Sequence, residues 1–177
     1  MAVYTKKGDR GETGLFSKNN KRVSKDSLRI NTIGSLDETS SYLGIICSDA
    51  TPELKKILNR IQSEFFTIGS ILAGANLRFY SSRTKYLEKE IDRMQKQLPV
   101  AKSFIFPGGT PKGAQIFFVR TLVRRTERML VALDEKEKIK PEILKYLNRL
   151  SDFFYILARK VNQDMGYKEE IWKPSRK

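Results

Sequence analysis

The chain has no histidine and a single cysteine, Cys47, among its 177 residues. Without imidazole there is no Ser-His-Asp or Cys-His arrangement, no zinc site built on histidine, and none of the usual side-chain acid–base chemistry near neutral pH. One cysteine cannot close an internal disulfide, and Cys47 sits in an apolar stretch, where it reads as a small, buried and inert core residue. No run of eighteen apolar residues exists, and Met1 to Asp9 are polar and charged rather than basic-then-apolar as in a secretory signal. A cytoplasmic protein with no membrane partner is the expectation. Any reaction it runs must take its reactive centre from a bound molecule.

What is abundant is positive charge. Thirty-four Lys and Arg against 20 Asp and Glu give a net charge of +14, which points to an anionic partner: nucleic acid, acidic membrane or polyphosphate. Charge alone does not choose among them. A hydrophobic fraction of 40% over this length allows one substantial core, so the expectation is a single domain: residues 1–33 a ligand loop, 34–165 a helical bundle and 166–177 a mobile basic tail.

Residues Ala2 to Ile33 show no helical periodicity; they space Gly8, Gly11 and Gly14 among Lys6, Lys7, Arg10, Lys18, Lys21, Arg22 and Lys25, and read as a long basic loop. Ser35 followed by Glu38 has the form of a capping box and predicts a short first helix to about Ser48. Thr51-Pro52 is an N-cap and first-turn proline, opening a helix with Leu54, Ile57, Leu58, Ile61, Phe65, Ile68 and Leu72 at helical spacing, ended by Gly74. Leu87, Ile91, Met94 and Leu98 predict a third helix that stops at Pro99. Thr110-Pro111 repeats the cap signal before Ile116, Val119, Val123, Leu130 and Leu133, and a fifth helix from Pro141 carries Ile143, Leu147, Leu150, Phe154, Leu157 and Val161. Nothing reads as a strand. The economical architecture is all-α, a five-helix bundle behind a basic N-terminal loop.

Three clusters can carry chemistry. In Thr5-Lys6-Lys7-Gly8-Asp9-Arg10-Gly11-Glu12-Thr13-Gly14, glycines every third position let backbone amides approach a phosphate chain, although the stretch is not a Walker A sequence and equally describes a flexible basic turn. On the fourth helix, at about 100° per residue, Arg120, Arg124 and Glu127 share a narrow stripe, with Arg128 beside it and Arg125 turned further round. Arginines in a chain otherwise rich in lysine suit phosphate oxygens or buried carboxylates, the alternative being a salt-bridged solvent face. On the fifth helix Asn148, Asp152, Tyr155 and Arg159 make a second polar stripe, which either faces water or meets the arginines. The loop Ser103-Phe104-Ile105-Phe106-Pro107-Gly108-Gly109-Thr110 offers two aromatics, either to plug the core or to meet a planar apolar ligand.

Taken together, Tyr4-Thr5-Lys6-x-Gly8-Asp9-x-Gly11-x-Thr13, Arg22-Val23-Ser24-Lys25-Asp26, Gly34-x-x-Asp37-Glu38, Phe104-x-x-Pro107-Gly108-Gly109-Thr110, Arg120-Thr121-x-x-Arg124-Arg125-x-Glu127-Arg128 and Leu147-Asn148-Arg149-Leu150-Ser151-Asp152 resemble the PduO-type ATP:cob(I)alamin (corrinoid) adenosyltransferases, in the family's order and over residues 4 to about 162. The resemblance implies a homotrimer of five-helix bundles that binds ATP, with Mg²⁺, and a corrinoid between subunits. It implies that Thr5, Lys6, Lys7, Gly8, Thr13, Gly14, Lys25, Arg124, Arg125, Glu127, Arg128 and Asn148 bind ATP, with Arg124 and Arg128 catalytic. It also implies that Asp37 and Arg120 form an intersubunit salt bridge, and that Phe104 is the cobalamin-binding aromatic that displaces the lower axial ligand of cobalt. A corrinoid reductase and an adenosylcobalamin-dependent mutase or dehydratase are the implied protein partners. Lys7, Thr126 and Ser17-Lys18-Asn19-Asn20 depart from the family's pattern.

The implied reaction, transfer of the 5′-deoxyadenosyl group from ATP to Co(I) with release of triphosphate, needs no protein nucleophile or base, which agrees with the missing histidine. Two other readings use the same residues: a basic helical protein that binds nucleic acid, and an ATP-binding carrier of adenosylcobalamin without turnover.

Overall fold

A computed structural model of the chain describes residues 4, 6–16, 22–101 and 103–174. Five helices form in chain order: α1 (Leu28–Cys47), α2 (Pro52–Leu72), α3 (Ser82–Gln95), α4 (Pro111–Lys136) and α5 (Pro141–Asp164). The cap-then-proline signals hold. Thr51 Oγ1 accepts from Leu54 N at 3.3 Å and Thr110 Oγ1 from Gly113 N at 3.1 Å, each satisfying an amide that the first turn leaves without a partner. α1 packs between α2 and α4, and α5 between α4 and α3, around a core in which Leu43, Ile46, Leu58, Ile68, Leu87, Ile116, Val123, Leu150, Phe153 and Phe154 are wholly buried. No described helix is long and apolar enough to cross a membrane.

α1 begins a full two turns before the expected Ser35-Glu38 capping box. Ser27 is its N-cap, with Oγ accepting from Ile30 N at 3.4 Å. Ser35 lies instead on the buried face, its Oγ 2.6 Å from Thr126 Oγ1 on α4, while Thr39 Oγ1 donates to Ser35 O at 2.8 Å. The buried residues of α1 include Thr32, Ser35, Thr39 and Ser40 beside Leu36, Leu43 and Ile46, so the helix lacks the apolar stripe by which the others are recognised. Thr126, at 1% exposure, is thereby accounted for as an internal partner of Ser35 rather than part of a ligand site.

The N-terminal segment is shorter as a loop than expected and is not strand-free. β1 (Glu12–Gly14) and β2 (Arg22–Ser24) pair antiparallel with Thr13 opposite Val23. The tail also differs from the expected mobile segment over residues 166–174. Ile171 bridges Ile105, Phe106 N donates to Glu170 O at 2.9 Å and Trp172 N to Phe104 O at 2.8 Å. Arg159, placed by its spacing on an α5 polar stripe, is buried at 4% exposure and forks onto Glu169, with Nε to Oε1 at 2.6 Å and Nη2 to Oε2 at 3.0 Å, and donates to Pro99 O at 2.8 Å. The Glu169 carboxylate holds the Arg159 guanidinium above its ordinary pKa, so the charge persists inside the fold. Cys47 is buried as expected, and burial pushes its thiol up, away from the reactive thiolate.

Glu169→Ala would leave the Arg159 guanidinium buried and unpaired, at a cost of about 3 kcal/mol. The expected outcome is a melting temperature lower by about 6–12 °C and faster proteolysis after Tyr167 and Trp172. Thermal denaturation and limited proteolysis check it; an unchanged melting temperature would show that the tail is not anchored through this pair.

Candidate active site

The glycine-spaced segment is shaped by the hairpin. Lys25 N donates to Gly11 O at 2.8 Å just beyond β2, and Lys25 Nζ donates to Gly8 O at 2.8 Å, which places an ammonium against the turn that precedes β1. Arg22 closes the same turn from the other side, with Nε 3.1 Å from Glu12 Oε2 and Nη2 donating to the carbonyls of Glu12 and Lys7. Gly11 has φ +77, a conformation in which a side chain would strain the turn. The result is an exposed loop of residues 6–14 with Lys6, Lys7 and Lys25 around it. It is anchored to the helices where Phe16 N donates to Ala73 O at 2.7 Å, at the end of α2. Thr5 lies outside the described residues.

On α4 the four arginines diverge as their helical angles require. Arg125 turns toward α1 and pairs with Glu38, and Glu127 turns toward α5, its Oε1 accepting from Asn148 Nδ2 at 2.8 Å. Arg124 and Arg128 are exposed and, among the described residues, have no carboxylate partner. Two guanidiniums at positions i and i+4 therefore stand on one outward face, flanked by the Glu127–Asn148 pair. Arg120 stacks on the Tyr155 ring at 5.6 Å, with Arg159 on the same ring at 5.7 Å, and is not paired with Asp37 within the chain. Asp37 is exposed on α1 beside an apolar recess of about 390 Å³ that Phe16, Ile33, Phe65 and Phe66 line. The remaining member of the α5 stripe, Asp152, accepts from Arg149 Nη1 at 2.7 Å.

The aromatic loop does not plug the core. Phe104 is 78% exposed and Phe106 51%, and the Phe104 ring meets the Trp172 ring edge-on at 6.2 Å. Beneath them a cavity of about 260 Å³ is lined by Ile105, Tyr167 and Ile171 among others. Behind the loop, Asn162 of α5 is buried and bonds to both Gly108 and Thr110.

The chain therefore carries a cationic loop, an outward pair of guanidiniums and an exposed aromatic on a separate, tail-strapped loop. Residues 3–161 match the family model described as cobalamin adenosyltransferase. The chain belongs to the cobalamin adenosyltransferase family. It is 38% identical over 175 residues to the corrinoid adenosyltransferase of Bacillus subtilis, covering 94% of this chain and 89% of that one. It is 37% identical over 172 residues to the corrinoid adenosyltransferase PduO of Citrobacter freundii, covering 93% of this chain but only 51% of that longer protein. The fold superposes with a TM-score of 0.93 and 31% identity on a variant PduO-type ATP:corrinoid adenosyltransferase from Lactobacillus reuteri complexed with cobalamin and ATP, covering 98% of this chain and all of that one.

Within this family member, one chain brings Arg124, Arg128, Glu127 and Asn148 together and, separately, Lys6, Lys7, Gly8, Thr13, Gly14 and Lys25; no described contact joins the two groups. Sequence patterning passed over Asn162, Glu169 and Trp172. Asn162 had a readable signal: it follows Phe154 and Ala158 at steps of four, so an amide occupies the register of a core position on an apolar face. Glu169 and Trp172 had none, because both lie in the irregular tail beyond α5, which periodicity does not reach.

Because Phe104 is exposed, Phe104→Ala is expected to lower the melting temperature by less than about 4 °C, the value of one lost aromatic edge contact. It should also alter the emission of Trp172, the single tryptophan. Differential scanning calorimetry and intrinsic fluorescence test this; a fall of about 10 °C or more would place the ring in the core after all.

Proposed function

We propose that this chain transfers the 5′-deoxyadenosyl group of ATP to the cobalt of a reduced corrinoid, in clefts between the subunits of a homotrimer in the cytoplasm. The observation that carries the reading is the outward pair Arg124 and Arg128, whose planar guanidinium forks suit phosphate oxygens and which have no carboxylate partner among the described residues, in a chain of this family. Such a pair needs an anion, and a triphosphate supplies one. The trimer is supported by what one chain leaves open: Asp37 and Arg120 are not paired together, and Ile45, Phe66 and Phe118 stand 55%, 68% and 48% exposed on α1, α2 and α4. A second copy meeting these faces would bring the Lys6 to Gly14 loop of one subunit to the arginines of another.

The reaction balances without a protein base. The electron pair of Co(I) attacks C5′, the carbon–cobalt bond forms, the C5′–O bond breaks and its pair leaves on triphosphate. The cobalt belongs to the substrate. The protein's part is geometric and electrostatic: the residue 6–14 amides and Lys25 hold the polyphosphate, Arg124 and Arg128 neutralise the charge that grows as it departs, and Asn148 keeps Glu127 from competing for those guanidiniums. Mg²⁺, which dehydrates reluctantly and keeps several waters, would be carried mainly by the triphosphate and water. Glu127 is the carboxylate among the arginines able to contribute one oxygen. When bound, Mg²⁺ supplies further neutralisation of the phosphates.

Phe104, exposed on its loop, would lie under the corrin ring and exclude the lower ligand and water from cobalt, which favours the lower charge states. A reductase that delivers the electron and a mutase or dehydratase that takes the product are the partners this chemistry calls for.

The decisive experiment is an anaerobic assay with pre-reduced corrinoid and Mg·ATP, followed by the visible spectrum of the alkylcobalt product; no alkylation with both substrates saturating would end the proposal. Arg124→Ala should lower kcat by about a hundredfold to a thousandfold with an unchanged melting temperature. Phe104→Ala should slow turnover that starts from Co(II) by at least about tenfold more than transfer to pre-reduced Co(I). Equal losses from the two starting states would remove Phe104 from control of cobalt coordination.

A further inference from the structure

The loop that carries Phe104 has to be stiff to be useful, yet it is built of Pro107, Gly108 and Gly109, which have no side-chain hydrogen bonds to offer. Its order comes from one buried amide. Asn162, at 2% exposure, accepts at Oδ1 from Thr110 N at 3.0 Å and from Thr110 Oγ1 at 2.8 Å, and donates from Nδ2 to Gly108 O at 2.8 Å. Thr110 Oγ1 in turn accepts from Gly113 N, the cap of α4. Every proton in this chain of bonds has one direction, and only a group with an acceptor and a donor on the same planar head completes it. Aspartate lacks the donor, and leucine lacks both.

Space is as tight as the bonding. Gly109 has φ +103, and a Cβ at Gly109 or at Gly113 would overlap the Asn162 amide. The main-chain carbonyl of Asn162 also accepts from Tyr167 N at 2.8 Å, where the tail turns back to pair with residues 104–106. The aromatic loop is thus fixed at residues 108–110 by the Asn162 side chain, and at 104–106 by a tail that starts from the Asn162 backbone.

We propose that Asn162 is the positioning residue of the corrinoid side of the reaction: by pinning Gly108 and Thr110 it sets where Phe104 stands, without touching the nucleotide side. The inference rests on the adenosyltransferase reading above. It separates two affinities that a general loss of stability would move together.

Asn162→Ala is expected to raise the corrinoid KM by about tenfold and leave the ATP KM within about twofold. Amide hydrogen exchange should quicken in residues 103–110 and stay at the parent rate in the central turns of α4 and α5. Gly113→Ala is the second arm. Alanine is the better helix former, so helix propensity alone predicts a gain in stability, whereas a methyl that evicts the Asn162 amide predicts the same rise in corrinoid KM. The double variant should be no worse than Asn162→Ala, because the methyl enters the space that the amide vacates. The proposal is overturned if both KM values rise together, if faster exchange spreads through α4 and α5, or if Gly113→Ala keeps the parent corrinoid KM. Should the parent protein fail to alkylate cobalt, the adenosyltransferase reading falls by itself. The exchange pattern, with corrinoid binding followed by quenching of Trp172, still decides the role of Asn162.

Discussion

The packing of α4 against α5 sets the geometry on which the rest depends. The guanidinium pair and the residue that anchors the aromatic loop both stand on these two helices. Arg124, Glu127 and Arg128 project from the middle of α4, Asn148 from the second turn of α5, and Asn162 from its last turns. Their spacing is held by a core that includes Ile116, Val119, Val123, Leu147, Leu150 and Phe154, all wholly buried. Close-packed interiors give little, so a guanidinium on α4 and the loop pinned by α5 keep a fixed relation even though no bond links them directly. A reaction whose two partners must meet in line gains most from that constancy.

What could be read from the sequence divides along the same line. Helices α2 and α4 declare themselves through cap-then-proline signals and apolar stripes and α5 through Pro141 and its stripe, and the angular arithmetic on α4 sets Arg125 apart from Arg124 and Arg128 as found, whereas Glu127, read on the stripe of Arg120 and Arg124, turns to Asn148 of α5. α1 hides its true start because its buried face contains Thr32, Ser35, Thr39 and Ser40, and the hydroxyls of Thr32, Ser35 and Thr39 are satisfied by Thr126 and by the helix's own carbonyls. A buried hydroxyl counts as polar in any periodicity reading but costs little once bonded. The short β1–β2 pair fails to show for another reason: three-residue strands rich in glycine and charge have no alternation to display. The α5 polar stripe was legible as polar but not as divided. Asn148 serves α4, Asp152 pairs with Arg149, and Arg159 turns inward because Glu169 waits there, in the tail past the end of α5 where no helical register could announce it.

The two loops proposed to meet the ligands are stabilised in opposite ways. The residue 6–14 loop is held by exposed bonds from Lys25 and Arg22, each competing with water and worth little singly. The aromatic loop is held by a buried amide network and by a tail anchored through the Arg159–Glu169 ion pair. A polyphosphate brings enough charge to order a loosely held cationic loop around itself. A flat, largely apolar macrocycle brings no such force, so the surface that meets it has to be in place beforehand.

That asymmetry also accounts for the missing histidine. A side chain that titrates near pH 7 is needed where a proton moves in the slow step, and in adenosyl transfer none does: the nucleophile is a reduced metal, and the leaving group departs as an anion already deprotonated. A titrating cation facing the triphosphate would tie charge neutralisation to pH and offer nothing in return. Guanidiniums keep their charge and their planar donor geometry at any physiological pH, and an aromatic ring, were it placed under the macrocycle, would have no charge to lose. The inventory of this chain, rich in arginine and lysine at the site, with an exposed phenylalanine and without imidazole, is what remains when the chemistry resides in the two substrates and the protein supplies only position and field.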